Sequence, residues 1–228
     1  MRQIMVELGD IKIFSDLDQQ SISELQEEVK IIDYGPEEII FQEGAPSFGF
    51  YLINKGLVKL VKRTLRGKKQ ILKLVGPGEY IGETTLFDKG THIAFAKTLT
   101  DVEVGFIERG NFFYFLEKHP GIVFRFFSKM SEELKAFQSK LAERSYNSSK
   151  ERLARFILRL GQEGIELSRS ELAELAGVSS KTAIRTLGEL EDRGFIKMRD
   201  RKIDILDEES IAELAASFPI TLDQNLII

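Results

Sequence analysis

The sequence predicts an α+β protein: an N-terminal β-rich domain, one long helix, and a C-terminal helical domain ending in a winged helix-turn-helix. Three observations carry that prediction. Residues 31–107 hold short β-type runs punctuated by glycine turns, a helical apolar period takes over after Pro120, and residues 168–206 read as two short helices across a glycine followed by a hairpin. At 228 residues and 43% hydrophobic content, the chain has apolar material for two separate cores.

Composition removes several function classes. No apolar run reaches the roughly 18 residues that cross a bilayer, and the N-terminus lacks a signal-peptide pattern, so a cytoplasmic protein with no membrane partner is expected. Cysteine is absent, which excludes disulfides, cysteine-ligated iron–sulfur clusters, thiol redox sensing and cysteine zinc sites. The two histidines, His92 and His119, are far apart, and neither H-E-x-x-H nor a phosphate-binding P-loop occurs. No cofactor, metal or catalytic residue is expected, and an enzyme is disfavoured, because Glu79 and Glu83 have no specified partner for acid–base work. The net charge of −4 hides its distribution: residues 140–202 carry 14 Lys/Arg against 10 Asp/Glu, whereas residues 203–228 carry 6 acids and no base. A local basic surplus is what a phosphate backbone responds to.

Taken in order, residues 18–30 read as a helix with Asp18 or Ser21 as N-cap and Ile22, Leu25 and Val29 at helical spacing. Strands are expected at Glu38–Gln42, Gly49–Ile53, Leu57–Lys62, Gln70–Val75, Ala94–Leu99 and Glu103–Ile107, a spacing that suits a sandwich, jelly roll or barrel. After Pro120, Val123, Phe127, Met130, Leu134, Phe137 and Leu141 recur at alternating steps of four and three. Such a heptad seam either buries a helix on its own domain or pairs it with its copy across a two-fold axis; charged residues off the seam favour the dimer. The helix should end near Tyr146-Asn147-Ser148-Ser149, a hinge candidate, and a new one, capped by Ser148-x-x-Glu151, should run to Gly161.

Residues 168–195 are the most informative. Ser168-x-x-Glu171 starts a helix with Leu172, Ala173, Leu175 and Ala176 inward, Gly177-Val178 closes it, and Ser179 caps another. Ala183, Thr186, Leu187 and Leu190 must face the core, so Ser180, Lys181, Ile184 and Arg185 point outward. That face suits a major-groove reader: Arg pairs bidentately with guanine, Lys reaches a base or phosphate, and Ile touches a thymine methyl. Ser179 and Thr182 at the helix N-terminus, Arg169 nearby, and Lys197 and Lys202 on the hairpin Phe195–Arg199/Lys202–Leu206 complete the candidate contacts with double-stranded DNA. A plain solvated helix face would also carry Lys and Arg, but it gains nothing from Ile184. A winged helix serving protein contact is the rival from another class, and a gel shift separates the two.

Over nearly its whole length the chain resembles the Crp/Fnr superfamily, the cyclic-AMP receptor protein and its relatives. The resemblance rests on Gly35-x-x-x-Ile39-Ile40-Phe41-x-x-Gly44, Gly56-x-Val58, the Gly78-Glu79-Tyr80-Ile81-Gly82-Glu83 cassette with Leu86-Phe87, the long helix and the helix-turn-helix. It implies a jelly-roll (double-stranded β-helix) effector-type domain over 1–118, a dimerisation helix over 119–146, and a winged helix-turn-helix over 147–228. It also implies promoter binding as a homodimer and contact with RNA polymerase.

The chain departs from that family where a cyclic nucleotide would bind. The resemblance implies an effector pocket at Gly82, Glu83, Thr84, His92, Ile93, Ala94, Phe137 and Gln138, with Gly82 and Glu83 matching the pair that meets the ribose. The Arg-Ser pair that holds the cyclic phosphate is replaced by His92-Ile93-Ala94, and the Thr-Ser pair that reads adenine by Phe137-Gln138. A neutral imidazole lacks the guanidinium's bidentate fork. The expectation is therefore a regulator independent of cyclic AMP, with Phe137 filling the vacated space and DNA binding constitutive. The alternative is an unidentified effector, such as a small acid, met by His92, Lys97 and Glu83.

Overall fold

A computed structural model describes residues 8–11, 13–65, 67–87, 90–146 and 148–215, with backbone alone at 10 and 140–146. The chain divides into two compact units, the main break falling between Leu134 and Lys135.

The first unit begins with a 3-10 turn at Leu8–Asp10 and helix α1 (Gln19–Glu27). Asp18 is its N-cap, accepting from the Ser21 N–H at 2.7 Å. Eight strands follow: β1 (Val29–Tyr34), β2 (Ile39–Phe41), β3 (Gly49–Lys55), β4 (Val58–Arg63), β5 (Lys69–Val75), β6 (Tyr80–Ile81), β7 (Phe95–Thr98) and β8 (Val102–Glu108), with the short helix α2 (Glu83–Leu86) between β6 and β7. They form two four-stranded sheets, ordered β1-β8-β3-β6 and β2-β7-β4-β5, the jelly-roll arrangement. β3 reads as an unbroken apolar run because it is buried on both faces. Tyr51 and Ile53 point into the roll with Val58, Ile81, Ala96, Val102 and Val104. Phe50 and Leu52 point the other way, into a core shared with Phe14, Leu25, Phe112, Ile122 and Phe126. There Phe50 stacks on Phe112 at 4.8 Å and meets Phe126 edge-on.

Several elements exceed the sequence reading, among them the 3-10 turn, β1, β6 and the helices α2 and α3. β1 pairs with β8 from Val29↔Ile107 to Tyr34↔Val102, so Val29, expected on the first helix, opens a strand instead; as an edge strand β1 is only half-buried and its apolar residues do not alternate cleanly. β6 is too short to show a period. Helix α3 (Arg109–Lys118) was not expected from the sequence, although Phe112, Phe115 and Leu116 lie at helical spacing on its buried side.

Helix α4 spans Gly121–Tyr146. Ile122 and Phe126 bury into the aromatic core, whereas Phe124, Phe127, Met130, Leu134 and Phe137 are exposed on the protomer and Val123 is half-buried. The Leu141 side chain and Asn147 lie outside the described residues.

In the second unit the rest of α4 is followed by α5 (Ser149–Glu163), whose Ser148/Glu151 capping box forms as the sequence predicts. The helix runs past Gly161 and ends at the left-handed Gly164. Gly161 is instead a point of close approach, since a Cβ there would sit 2.6 Å from Ile205 Cδ1. Helices α6 (Arg169–Ala176) and α7 (Ser180–Asp192), the hairpin β9 (Ile196–Arg199)/β10 (Lys202–Ile205) and α8 (Glu208–Ala215) complete it.

Candidate nucleic-acid interface and effector cassette

The α6–turn–α7 geometry follows from local chemistry. Ser168 and Glu171 form a reciprocal capping box, Gly177 terminates α6 in the left-handed region at φ 63°, and Ser179 accepts from the Thr182 N–H at 3.1 Å to start α7. Ala173 and Ala176 on α6 and Ala183, Thr186, Leu187 and Leu190 on α7 are buried, so the two helices are held together along small and branched side chains.

That burial fixes what α7 presents to solvent. Ser180, Lys181, Ile184 and Arg185 are all exposed, Ile184 at 57%, and Ser179 sits exposed at the helix start with Thr182 half-buried beside it. Arg185 lies 3.8 Å from Glu189, one turn on, an exposed pairing that costs little to exchange for another acceptor. Arg169 lies 3.6 Å from Glu191. On the hairpin, Lys197 is exposed, and Lys202 is also exposed beside Asp204.

Residues that sequence reasoning left aside lock these parts together. Buried Glu171 not only caps α6 but accepts from Arg201 Nη2 at 2.8 Å, tying the hairpin turn to the start of that helix. Glu191 accepts from the Met198 N–H at 2.8 Å, tying α7 to β9. The signal was partly visible: Glu171 is the capping-box residue, but its second bond joins positions 30 apart, which no local pattern reveals.

In the cassette, Gly82 has φ 99°, and a Cβ there would come 2.9 Å from the Gly49 carbonyl. Glu83 follows it and is only 7% exposed, while Thr84 and Ile93 point to solvent and Ala94 is buried. His92 is buried, stacked on Phe41 at 3.8 Å with Nδ1 3.2 Å from the Thr85 hydroxyl. Burial pushes its pKa down, so the ring is neutral at pH 7. Lys97 is paired with Glu37. Phe137 and Gln138 are exposed on α4.

Residues 31–119 match the cyclic nucleotide-binding domain family, and residues 151–214 match the Crp-like helix-turn-helix domain. The chain is a Crp/Fnr family transcription regulator. Similar proteins include a CRP-like cAMP-activated global transcriptional regulator of Mycobacterium tuberculosis, 26% identical over 226 residues, covering 94% of this chain and all of the relative. The cyclic AMP receptor protein of Thermus thermophilus is 27% identical over 180 residues, covering 77% of this chain and 83% of that one. A solved structure of the c-di-GMP-responsive global regulator CLP from Xanthomonas campestris superposes with TM-score 0.74 at 22% identity, covering 82% of this chain and 99% of that one. It supports the fold.

As a Crp/Fnr regulator, the protein binds DNA, and its family consists of transcription regulators rather than enzymes. Among the described residues, no helix is long and apolar enough to cross a membrane.

Proposed function

We propose that this Crp/Fnr regulator acts as a homodimer on a palindromic promoter site, reads it with α7, and does so without cyclic AMP. One observation carries the DNA-reading part: Ser180, Lys181, Ile184 and Arg185 form a single exposed face on a helix whose opposite face is buried. An alkyl group flanked by two cations matches a thymine methyl beside a guanine and a phosphate. Ser179, Thr182 and Arg169 would meet phosphates at the helix N-terminus, and Lys197 and Lys202 would meet the flanking backbone. The exposed α4 seam of Phe127, Met130, Leu134 and Phe137 would be covered by its two-fold copy, with Val123 and Leu141 extending it. In this reading residues 1–118 are the effector-type domain, 119–146 the dimerisation helix and 147–228 the DNA-binding domain. Contact with RNA polymerase follows from the family, as does a cytoplasmic location.

Independence from cyclic AMP is supported by chemistry at the cassette. The position that should carry a guanidinium is an imidazole turned onto Phe41 and held neutral by burial, so it offers an incoming phosphate neither a charge nor a bidentate fork. A second reading, gating by an unidentified small molecule, is favoured by the buried Glu83 Oε2, which has no hydrogen-bond partner. A small acid fits that reading poorly, because Lys97 is engaged by Glu37. Isothermal titration and gel shift on genomic fragments decide the matter. The expected result is operator binding with no heat from cyclic AMP; sub-millimolar binding that tightens operator affinity would overturn the proposal.

A further inference from the structure

Behind the cassette, one buried cation serves several carboxylates. Lys73 on β5 holds its ammonium 3.3 Å from Glu133 Oε1 on the first half of α4, and both side chains are largely buried. Burial works to strip Lys73 of its proton, but Glu133, Glu83 and Glu79 outweigh it and hold its pKa above the ordinary lysine value. The ammonium is therefore shared, and its strongest bond joins the β-roll to α4.

Glu83 brings a buried oxygen without a bond of its own into the cluster. Its Oε2 is buried with no hydrogen-bond partner, and so is the hydroxyl of Tyr80 three residues before it. The charges that face Glu83 are Lys73 from β5 and Glu133 and Lys129 from α4; Tyr80, on β6, feels Glu83 together with Glu133, Glu132 and Glu79.

We propose that Glu83 is a proton switch on the bond between the β-roll and α4: when neutral it leaves Lys73 to Glu133, and when charged it competes for Lys73 and loosens α4. Burial, the largest influence, raises the Glu83 pKa from 4.5 to about 7, so the exchange falls within the neutral range. The sign follows from linkage. A group whose folded pKa is raised stabilises the fold most at low pH, and that contribution is lost as pH climbs from about 4.5 through about 7. The inference rests on α4 being the element that sets the pose of the DNA-binding half, but its test needs no DNA, so either reading can fail alone.

The test uses the full chain at pH 6 and pH 8. Calorimetry should show the wild-type Tm falling by about 3–5 °C between those values, and Glu83→Gln, which fixes the neutral form, should remove that fall. Hydrogen exchange of the 121–134 amides, corrected for its intrinsic pH dependence, should speed up roughly threefold or more in the wild type and stay level in Glu83→Gln. Lys73→Met should keep the Tm slope while abolishing the response of α4, since the proton is still exchanged but no longer transmitted. Level corrected exchange in the wild type, or a slope that survives Glu83→Gln, overturns the proposal.

Discussion

Ile184 separates a reading surface from a merely solvated one. Lys181 and Arg185 alone would suit water, but an exposed alkyl group between them gains nothing there, while a thymine methyl would remove it from solvent. Arg185 carries the sharper consequence. Its guanidinium leans on Glu189 only through an exposed pairing, so releasing it toward guanine O6 and N7 costs little. Arg185→Ala is expected to relax preference at one guanine per half-site and to weaken binding by roughly 1–3 kcal/mol per half-site. Selection of bound sequences from a random pool reads this directly, and an unchanged preference at every position would remove Arg185 from the reading face. By contrast, Lys197→Ala and Lys202→Ala should weaken all sequences alike and each flatten the salt dependence by about one unit per half-site, because phosphate contacts carry no sequence information.

At the scale of elements, α4 shows what a sequence period can and cannot say. The steps of four and three located the seam, but they could not tell whether the seam faces its own domain. The structure gives α4 a second apolar side: Ile122 and Phe126 fill the aromatic core, leaving Phe127, Met130, Leu134 and Phe137 exposed on the protomer. A side chain of that size left in water at four positions on one helix calls for a partner. Phe127→Glu with Leu134→Glu should therefore give a monomer that keeps its β-roll, checked by sedimentation, with loss of tight binding to a two-half-site duplex. A double variant that still sediments as a dimer would place the two-fold contact elsewhere. The same contrast runs through the rest of the chain. The capping boxes at Ser148/Glu151 and Ser168/Glu171 and the left-handed Gly177 were legible because they are written within a few residues. The β1–β8 pairing, the stacking of His92 on Phe41 and the Arg201–Glu171 bond were not, because each joins residues far apart in the chain. Gly161 misled for a related reason: it reads as a helix stop, but its role is to admit Ile205 from β10.

For the whole molecule, the decisive quantity is the distance between two copies of α7. A two-fold dimer presents two reading faces that enter successive major grooves on one side of the duplex, with half-site centres about 34 Å apart, one helical turn. The tolerance for error is small, because α7 is held at both ends of its own domain, by its packing on α6 and by the Glu191 bond to β9, and cannot swing independently to follow a displaced half-site. Inserting about 5 bp between the half-sites turns the second one to the opposite side of the helix, so the dimer can engage only one. Affinity should then fall to that of a single half-site, and restoring a full turn of about 10 bp should recover at most part of it, since the copies would have to span twice the distance. Gel shifts on the original, half-turn and full-turn operators measure all three. Equal affinity for the original and half-turn duplexes would mean that the two halves are read by independent monomers, and the symmetric pair would have to be abandoned even if every base contact of α7 were right.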